Sequence, residues 1–313
     1  MIYKLMSGRL GNQMFQYAAV RAFQLKYRPS DDILLDFSLV EKQGEKKDGF
    51  KNQLIGFNLP QNVYFTDNSK VNLKIKIIFL FYKFICFIIK ITSKKNKYTE
   101  KRNRLEKKIS PILQKMGIYI YTDGYIEFKN CNKKDTFFWG FFESSKFFND
   151  IKEILKEEFV SNKEVKSTLL KKIQNSSDSV CVSVRAGDFL SKKFKKDYYV
   201  CTPKYFEEAI KEMQAKLKSP TFFVFSDDIE WCKEKINFPL NVVFEEEKLN
   251  VYEKLTIMSK CKNFILSNSS FSYWASFLAD DDDKKIIIAP NRWSNNLQNP
   301  DIYEKKWTIL NVD

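Results

Sequence analysis

Three short strings in the second half of the chain hold the residues best suited to chemistry: Ser183-Val184-Arg185-Ala186-Gly187-Asp188, Ser226-Asp227-Asp228, and Ser267-Asn268-Ser269-Ser270. An arginine at the end of an apolar strand presents a planar fork of donors that suits a diphosphate. Gly187 lets backbone approach a ligand closely, and Asp188 can orient the arginine or touch substrate. By spacing alone, an Arg–Asp pair that merely holds a turn is the favoured reading of this string. In the second string Ser226 reads as a helix N-cap followed by two acids that favour the helix dipole. In the third, Asn268, Ser269 and Ser270 stand where a strand becomes a helix, so their hydroxyls and backbone amides can hold phosphate oxygens. A fourth string opens the chain. Ile2 to Met6 reads as a strand, Ser7-Gly8-Arg9-Leu10-Gly11 as a turn, and Met14, Phe15, Ala18, Ala19, Ala22 and Phe23 recur at helical spacing. Such a turn aims backbone N–H groups into the crevice above a sheet; an ordinary glycine-dependent turn is the other reading. Neither the P-loop's Gly-Lys-Ser/Thr nor the third glycine of the dinucleotide fingerprint is present.

What the chain lacks narrows the chemistry. Its 313 residues include no histidine, so acid–base work falls to carboxylates and a zinc mechanism is not expected. The six cysteines are scattered singly, with no C-x-x-C pair, which suggests reduced core thiols in a cytosolic protein. Asp280-Asp281-Asp282-Asp283 invites a metal reading, but its place between a helix end and a strand favours a solvated loop, and no metal is assigned. The first residues read as a strand, without a charged n-region, apolar h-region and cleavage site, so no secretory signal is expected.

The elements that must position these strings follow from pattern. The length suits two domains of about 150 residues. Residues 1–60 read as βα followed by a strand at Ile33–Asp36, Tyr119 to Phe128 as extended, and Phe137 to Phe142 as an aromatic strand. Ser145 to Gln174 reads as a long helical stretch, and Asn175-Ser176-Ser177-Asp178 as the domain boundary. Beyond it, strands near Val180–Val184, Phe222–Phe225, Val242–Phe244, Phe264–Leu266 and Lys285–Ala289 alternate with helices, one of them starting at Pro203 behind a Thr202 cap. That alternation predicts a parallel, doubly wound sheet, whose ligands bind beyond the carboxyl ends of its strands.

The net charge of +14 is concentrated. From Lys70 to Lys108 there are thirteen Lys/Arg against two Glu, and the remainder is close to neutral. No aromatic-interleaved basic groove or nucleic-acid module appears, so nucleic acid is not an expected partner. Within this segment Ile75 to Lys90 is apolar except for Lys76, Lys83 and Lys90, which recur every seven residues. A central lysine disfavours a membrane span. Two readings remain: a helix packed on its own domain with a lysine ridge in solvent, or a helix lying in a membrane interface with the basic run Lys94–Lys108 drawn to anionic headgroups.

Gly8-Arg9-Leu10-Gly11-Asn12-Gln13-Met14-Phe15-Gln16-Tyr17-Ala18 resembles the N-terminal signature of the α-1,2-fucosyltransferases of glycosyltransferase family 11, with Ser7 where that family usually has a second glycine. The Arg185 string resembles the His-x-Arg-(Arg)-Gly-Asp segment shared by enzymes that use GDP-fucose for α-1,2, α-1,6 and O-linked products; Ser183 replaces the histidine and Ala186 the second arginine. Phe222 to Lys233 and Asn268-Ser269-Ser270-Phe271-Ser272-Tyr273-Trp274 resemble two further motifs of the family. Trp139-Gly140-Phe141-Phe142-Glu143-Ser144 resembles its aromatic segment, read mainly as core with Glu143 as an acceptor contact. Lys254 stands where the family usually has an acid. The likeness spans nearly the whole chain; only the basic helical region lacks a counterpart.

The resemblance implies an α/β, GT-B-like fold: two Rossmann-like domains facing across a cleft, with the C-terminal domain doubly wound and donor-binding. Residues 1–175 would form the acceptor-side domain, including the basic amphipathic region 70–116, and residues 176–313 the nucleotide-sugar domain. It implies an inverting, metal-independent transferase that moves L-fucose from GDP-β-L-fucose to the 2-hydroxyl of a terminal β-galactoside in O-antigen or capsule synthesis, with no cofactor beyond the donor. Leaving-group departure would run ahead of attack, with an oxocarbenium-like transition state. Arg185 would hold the β-phosphate and stabilise departing GDP, and Asp188 is the nearest carboxylate for proton transfer. Around the donor would stand Ser183, Gly187, Asp227, Asp228, Asn268, Ser269 and Ser270. Asp227 or Asp228 would accept from guanine or ribose, and Gly8, Gly11, Asn12 and Gln13 would face the cleft from the first loop. The expected partners are GDP-fucose and a β-galactoside acceptor carried on a lipid. The expected location is the cytoplasm; on the interfacial reading of the basic helix, segment 70–108 would also meet an anionic membrane surface and make the protein peripheral on the inner face of the plasma membrane. A transferase with another donor or linkage, and a non-catalytic nucleotide-sugar binding protein at a membrane surface, are the alternatives.

Overall fold

The apolar run that opens the chain forms strand β1 (Ile2–Leu5), and Ser7-Gly8-Arg9 turns it into helix α1 (Leu10–Tyr27), as the spacing predicts. The computed structural model describes residues 1–45, 49–68, 73–93, 97–295, 297–298 and 301–312. Part of the basic segment, including Lys70, Lys94 and Lys95, lies outside them. The chain divides into two units, Met1–Phe159 and Val160–Asp313.

In the first unit, β2 (Ile33–Asp36), α2 (Ser38–Gly44), β3 (Val63–Thr66), α3 (Leu73–Thr92), α4 (Tyr98–Lys115), β4 (Ile118–Ile120), β5 (Thr136–Trp139) and α5 (Lys152–Glu158) follow in order. The five strands pair in parallel in the order β3-β2-β1-β5-β4. Consecutive strands run outward from β1 on one side, while β5 lies against it on the other. The switch point of the sheet therefore falls between β1 and β5, and the loops after these two strands flank it. Helix α1 is buried on nearly every face, which explains why its apolar stripe also carries Gln13, Gln16 and Gln24.

In the second unit the order is α6 (Thr168–Asn175), β6 (Asp178–Val184), α7 (Gly187–Leu190), α8 (Lys195–Tyr198), α9 (Pro203–Lys216), β7 (Pro220–Ser226), α10 (Ile229–Lys235), β8 (Val242–Phe244), α11 (Val251–Met258), β9 (Asn263–Ile265), α12 (Ser270–Leu278), β10 (Ile287–Pro290), β11 (Arg292–Ser294), β12 (Leu297–Gln298) and β13 (Thr308–Leu310). Six strands form a wholly parallel sheet, β13-β10-β9-β6-β7-β8. The strand pair β11–β12 is a separate antiparallel ribbon. Strand β6 is buried at every residue from Ser179 to Val184, as a strand covered on both faces must be. Its switch point lies between β6 and β9, where Val182 is in register with Ile265.

Three expectations shift. The division falls at 159/160 rather than 175/176, because α6 is fastened to the second unit. Leu169 and Ile173 are buried, the Leu169 N–H donates to Glu247 Oε1 at 2.9 Å, and the Thr168 hydroxyl donates to the same atom. The stretch Ser145–Gln174 is not one helix. Ser144 and Ser167 accept bonds from Lys146 N and Leu170 N, and such side-chain acceptors start new turns. Of Tyr119–Phe128, only the first residues belong to a strand.

Candidate functional site

The sharpest constellation lies beyond the carboxyl ends of β6 and β7 in the second sheet. Beyond β6 the Arg185 guanidinium meets Asp227, from the end of neighbouring β7, with Nη1 2.8 Å from Oδ2. The other Asp227 oxygen, Oδ1, accepts from Ala186 N at 2.9 Å and Gly187 N at 3.1 Å. Strand pairing makes this possible, since Val184 is in register with Ser226 and the two loops leave the sheet side by side. Arg185 Nη2 is 3.3 Å from Asp188 Oδ2, and the guanidinium carbon lies 5.6 Å from the Phe189 ring centre. The arginine and Asp227 are each about a quarter exposed (26% and 25%), so the pair is partly shielded yet reachable. A guanidinium has five N–H donors. These carboxylates engage two of its nitrogens, and the remainder can meet a further anion.

The neighbouring residues divide into those at the crevice and those that hold it. Asp228, not Ser226, is the N-cap of α10: its Oδ1 accepts from Trp231 N at 3.0 Å. Ser226 instead closes a turn, its hydroxyl accepting from Asp228 N at 3.0 Å. Asn268 is buried, and its amide nitrogen donates to Tyr198 O at 3.0 Å and Trp293 O at 2.9 Å, so it clips three segments together. Ser269 and Ser270 are half-buried at the start of α12, with Ser269 at the cap position. Ser183 is buried within β6. Ala186 belongs to the apolar core with Val182, Val184 and Tyr205, so the place of the expected second arginine is a core position here. Lys254 also gains a reason. Its Nζ lies 2.6 Å from Glu245 Oε2, a carboxylate only 5% exposed, and reaches Ser226 O at 3.4 Å, bracing the base of the Asp227 loop.

The first unit has its own switch-point cluster. Gly8 has φ +78°, and a Cβ there would stand 2.7 Å from Asn12 Nδ2, so conformation and space both require glycine. Gln13, expected to face the cleft, is fully buried and faces the loop from beneath. Its Nε2 donates to Gly8 O and Lys51 O, both at 2.9 Å, and its Oε1 accepts from Gln53 N at 3.0 Å. Gln16 braces the same loop through Ser7 O at 2.7 Å. Gly11 is buried and Asn12 half-buried.

Beyond β5 the chain turns through Gly140 (φ 142°) and Phe142, whose φ of 55° is a left-handed conformation rare for an aromatic residue. Lys4 fastens that turn. Fully buried in β1, it donates to Leu5 O at 2.7 Å and Gly140 O at 3.0 Å and lies over the Phe142 ring; burial holds its pKa well below the usual lysine value. Glu143 follows immediately, half-buried, and burial pushes its carboxyl up to about 7. Lys4 went unnoticed in the sequence because a lone lysine in a short apolar strand looks like a solvent-facing position. No pattern in the sequence marks it.

Among the described residues no group of three or more Cys, Asp or Glu converges where a metal ion could be held. A 390 Å³ cavity lined by Lys26, Tyr27, Tyr125 and Glu127 lies at the C-terminal end of α1, the far end from the Gly8 loop, and is no part of either cluster.

A family model described as Glycosyl transferase family 11 matches residues 1–311. The chain is 29% identical to an alpha-1,2-colitosyltransferase of Escherichia coli, an alignment covering 97% of each chain. It is 25% identical to the O-antigen biosynthesis glycosyltransferase WbnK of Escherichia coli, covering 93% of this chain and 94% of that one. Among solved structures it is similar in fold to fucosyltransferase NodZ from Bradyrhizobium, with a TM-score of 0.51 at 12% identity over 89% of this chain and 93% of that one.

Proposed function

Since the chain belongs to glycosyl transferase family 11 and is an enzyme of the galactoside α-1,2-fucosyltransferase family, with a GT-B-like α/β fold, we propose that it moves L-fucose from GDP-β-L-fucose to the 2-hydroxyl of a terminal β-galactoside, with inversion. The observation that carries this reading is the Arg185–Asp227 latch beyond the carboxyl ends of β6 and β7. In the reaction the bond from C1 to the β-phosphate oxygen breaks and its electron pair stays on GDP. The acceptor oxygen bonds to C1, and the acceptor's proton leaves to a base. Charge therefore builds on the diphosphate, where an arginine already held in place stabilises it without reorganisation. A carboxyl with a pKa near 7 suits the proton, and Glu143 has that character. The acceptor belongs to a surface polysaccharide, a reading that the relative named for O-antigen biosynthesis supports, and the proposal sets the reaction on a lipid-linked acceptor at the inner face of the plasma membrane.

A second donor is favoured by the relative named as a colitosyltransferase. Colitose is 3-deoxy-L-fucose, so the two donors differ by one hydroxyl. A site that hydrogen-bonds the 3-hydroxyl rejects the deoxy sugar strongly, whereas a site that leaves it alone accepts both. One experiment addresses both readings: release of GDP from GDP-fucose and from GDP-colitose, with and without a panel of β-galactosides, in EDTA. Release from GDP-fucose that depends on the acceptor is the expected result. Acceptor-dependent release from GDP-colitose alone replaces the donor, and tight donor binding without release from either overturns the transferase reading.

A further inference from the structure

Helix α3 exposes far more apolar surface than its own domain uses. Its inner stripe, which includes Phe79, Tyr82 and Cys86, packs on Ile118, Ile120 and Phe137 of β4 and β5. The Tyr82 hydroxyl donates to Glu106 of α4, which is fully buried and also accepts from Thr122 N at 2.9 Å, so the rotation of α3 about its axis is fixed. On the opposite side stand Ile77, Leu80, Phe81, Phe84, Phe87 and Ile91, with Leu80 67%, Phe81 65%, and Phe84 and Phe87 each 58% exposed. At about 100° per residue these six fall within an arc of roughly 120°. The same geometry sets Lys76, Lys83 and Lys90, all exposed, in a line along one border of that arc. The lysine ridge expected from the sequence is therefore real, but it edges an exposed apolar face instead of crowning the helix.

Beside α3, helix α4 turns Lys101, Arg104, Lys107, Lys108 and Lys115 outward, while its one exposed acid, Glu100, is paired with Arg104 at 2.5 Å. Soluble proteins seldom leave an apolar face of this size bare, and such faces mark interaction sites. No helix among the described residues is long and apolar enough to cross a membrane. We infer that the outer face of α3, with its lysine border and the basic face of α4, is a docking surface for an anionic lipid bilayer, the helix lying in the interface. Charge complementarity selects this occupant. A bilayer offers negative headgroups to the cations and hydrocarbon just beneath to the phenylalanines. A second copy of the chain would bring the same lysines and no acidic residue on α3 to meet them. The inference rests on the membrane location proposed above and names the surface that achieves it.

The test is flotation of the full chain with vesicles of equal parts phosphatidylglycerol and phosphatidylcholine, compared with phosphatidylcholine alone. The expected result is binding to the anionic vesicles that weakens as salt is raised. A Leu80→Ser/Phe84→Ser/Phe87→Ser variant should lose binding by ~tenfold or more, since each truncation removes apolar area from the contact. A Lys76→Glu/Lys83→Glu/Lys90→Glu variant should lose the preference for anionic lipid. Both variants alter only exposed side chains, so GDP release with a soluble β-galactoside should be unchanged and reports folding. Absence of flotation by a chain that transfers fucose overturns the inference and leaves the transferase reading standing. Flotation by a chain that transfers nothing does the reverse. Self-association in sedimentation that the serine variant abolishes, with no vesicle binding, assigns the face to a second copy and also overturns it.

Discussion

Replacing Asp227 by asparagine keeps the side chain's size and removes its charge, which isolates the latch on Arg185. In the native chain Oδ1 accepts two backbone N–H groups while Oδ2 faces the guanidinium at 2.8 Å. An amide has one oxygen and one NH2, so in either orientation a donor must face donors: the Ala186 and Gly187 N–H groups, or Arg185. A hydrogen bond to a charged group contributes about 1.5–3 kcal/mol, and a quarter exposure on both partners places this one toward the lower end of that range. If Arg185 must be placed before the diphosphate departs, the loss appears in turnover as roughly a 10- to 30-fold fall in kcat. The KM for donor should move little, because the guanidinium is still present. The assay is acceptor-dependent GDP release under saturating GDP-fucose, beside Arg185→Ala, which should remove turnover by orders of magnitude. An Asp227→Asn enzyme within about threefold of wild type, alongside a dead Arg185→Ala, would refute the claim that this carboxylate sets the arginine.

Gly187→Ala attacks the same latch sterically. The new Cβ would stand 2.8 Å from Asp227 Oδ2 and 3.1 Å from its Cγ, and the carboxylate, pinned on three sides, has nowhere to retreat. We expect about 1–3 kcal/mol of destabilisation in urea unfolding together with reduced turnover; wild-type behaviour in both would mean the loop is soft. Asp228→Ala should cost about 1 kcal/mol as a lost N-cap and leave GDP affinity by calorimetry unchanged, whereas a large drop in affinity would return Asp228 to the nucleotide. Glu143→Gln addresses pH. Because burial raises this carboxyl to about 7 from 4.5, the folded chain binds the proton more tightly than the unfolded chain. Stability falls as pH rises from 4.5 through 7, and the glutamine variant should lose that fall in unfolding midpoints measured from pH 5 to pH 8. It should also lose a limb near pH 7 in the rate profile if Glu143 takes the acceptor's proton.

The second sheet was readable because its strands are built around short apolar runs that alternate with helical stretches, so β6 to β10 fall within a few residues of where the pattern puts them. The additions β13 and the β11–β12 ribbon were not readable. A three-residue edge strand such as Thr308-Ile309-Leu310 carries too little periodicity to separate from a tail. The division between units was misplaced for a different reason. Polar Asn175-Ser176-Ser177-Asp178 looks like a linker, but Ser176 closes α6 and Asp178 starts β6 within one unit, and the long-range bonds from Thr168 and Leu169 to Glu247, invisible in the sequence, show which side α6 belongs to. On α3 a period of seven in lysine was visible, while the exposure of the apolar face it borders was not, since an outward phenylalanine and a core phenylalanine are the same letter.

The candidate site was legible in its cast and opaque in its division of labour. Asp227 and Asp228 are adjacent, identical in type, and equally suited by sequence to cap a helix or to meet a ligand. What separates them is strand pairing. With Val184 in register with Ser226, the residue after Ser226 emerges beside Ala186 and Gly187 and latches Arg185, while the next one turns into α10 and caps it. Asn268 and Gln13 repeat the lesson. Each is a polar residue at a strand-to-helix turn whose buried amide is engaged by backbone groups remote in sequence, Trp293 O in one case and Gln53 N in the other. A buried amide must be hydrogen-bonded, so at such turns many of the polar residues that a motif makes conspicuous build the crevice. Those left to face a ligand are the ones whose donors outnumber their partners, and Arg185, with five N–H groups and two carboxylates, meets that condition.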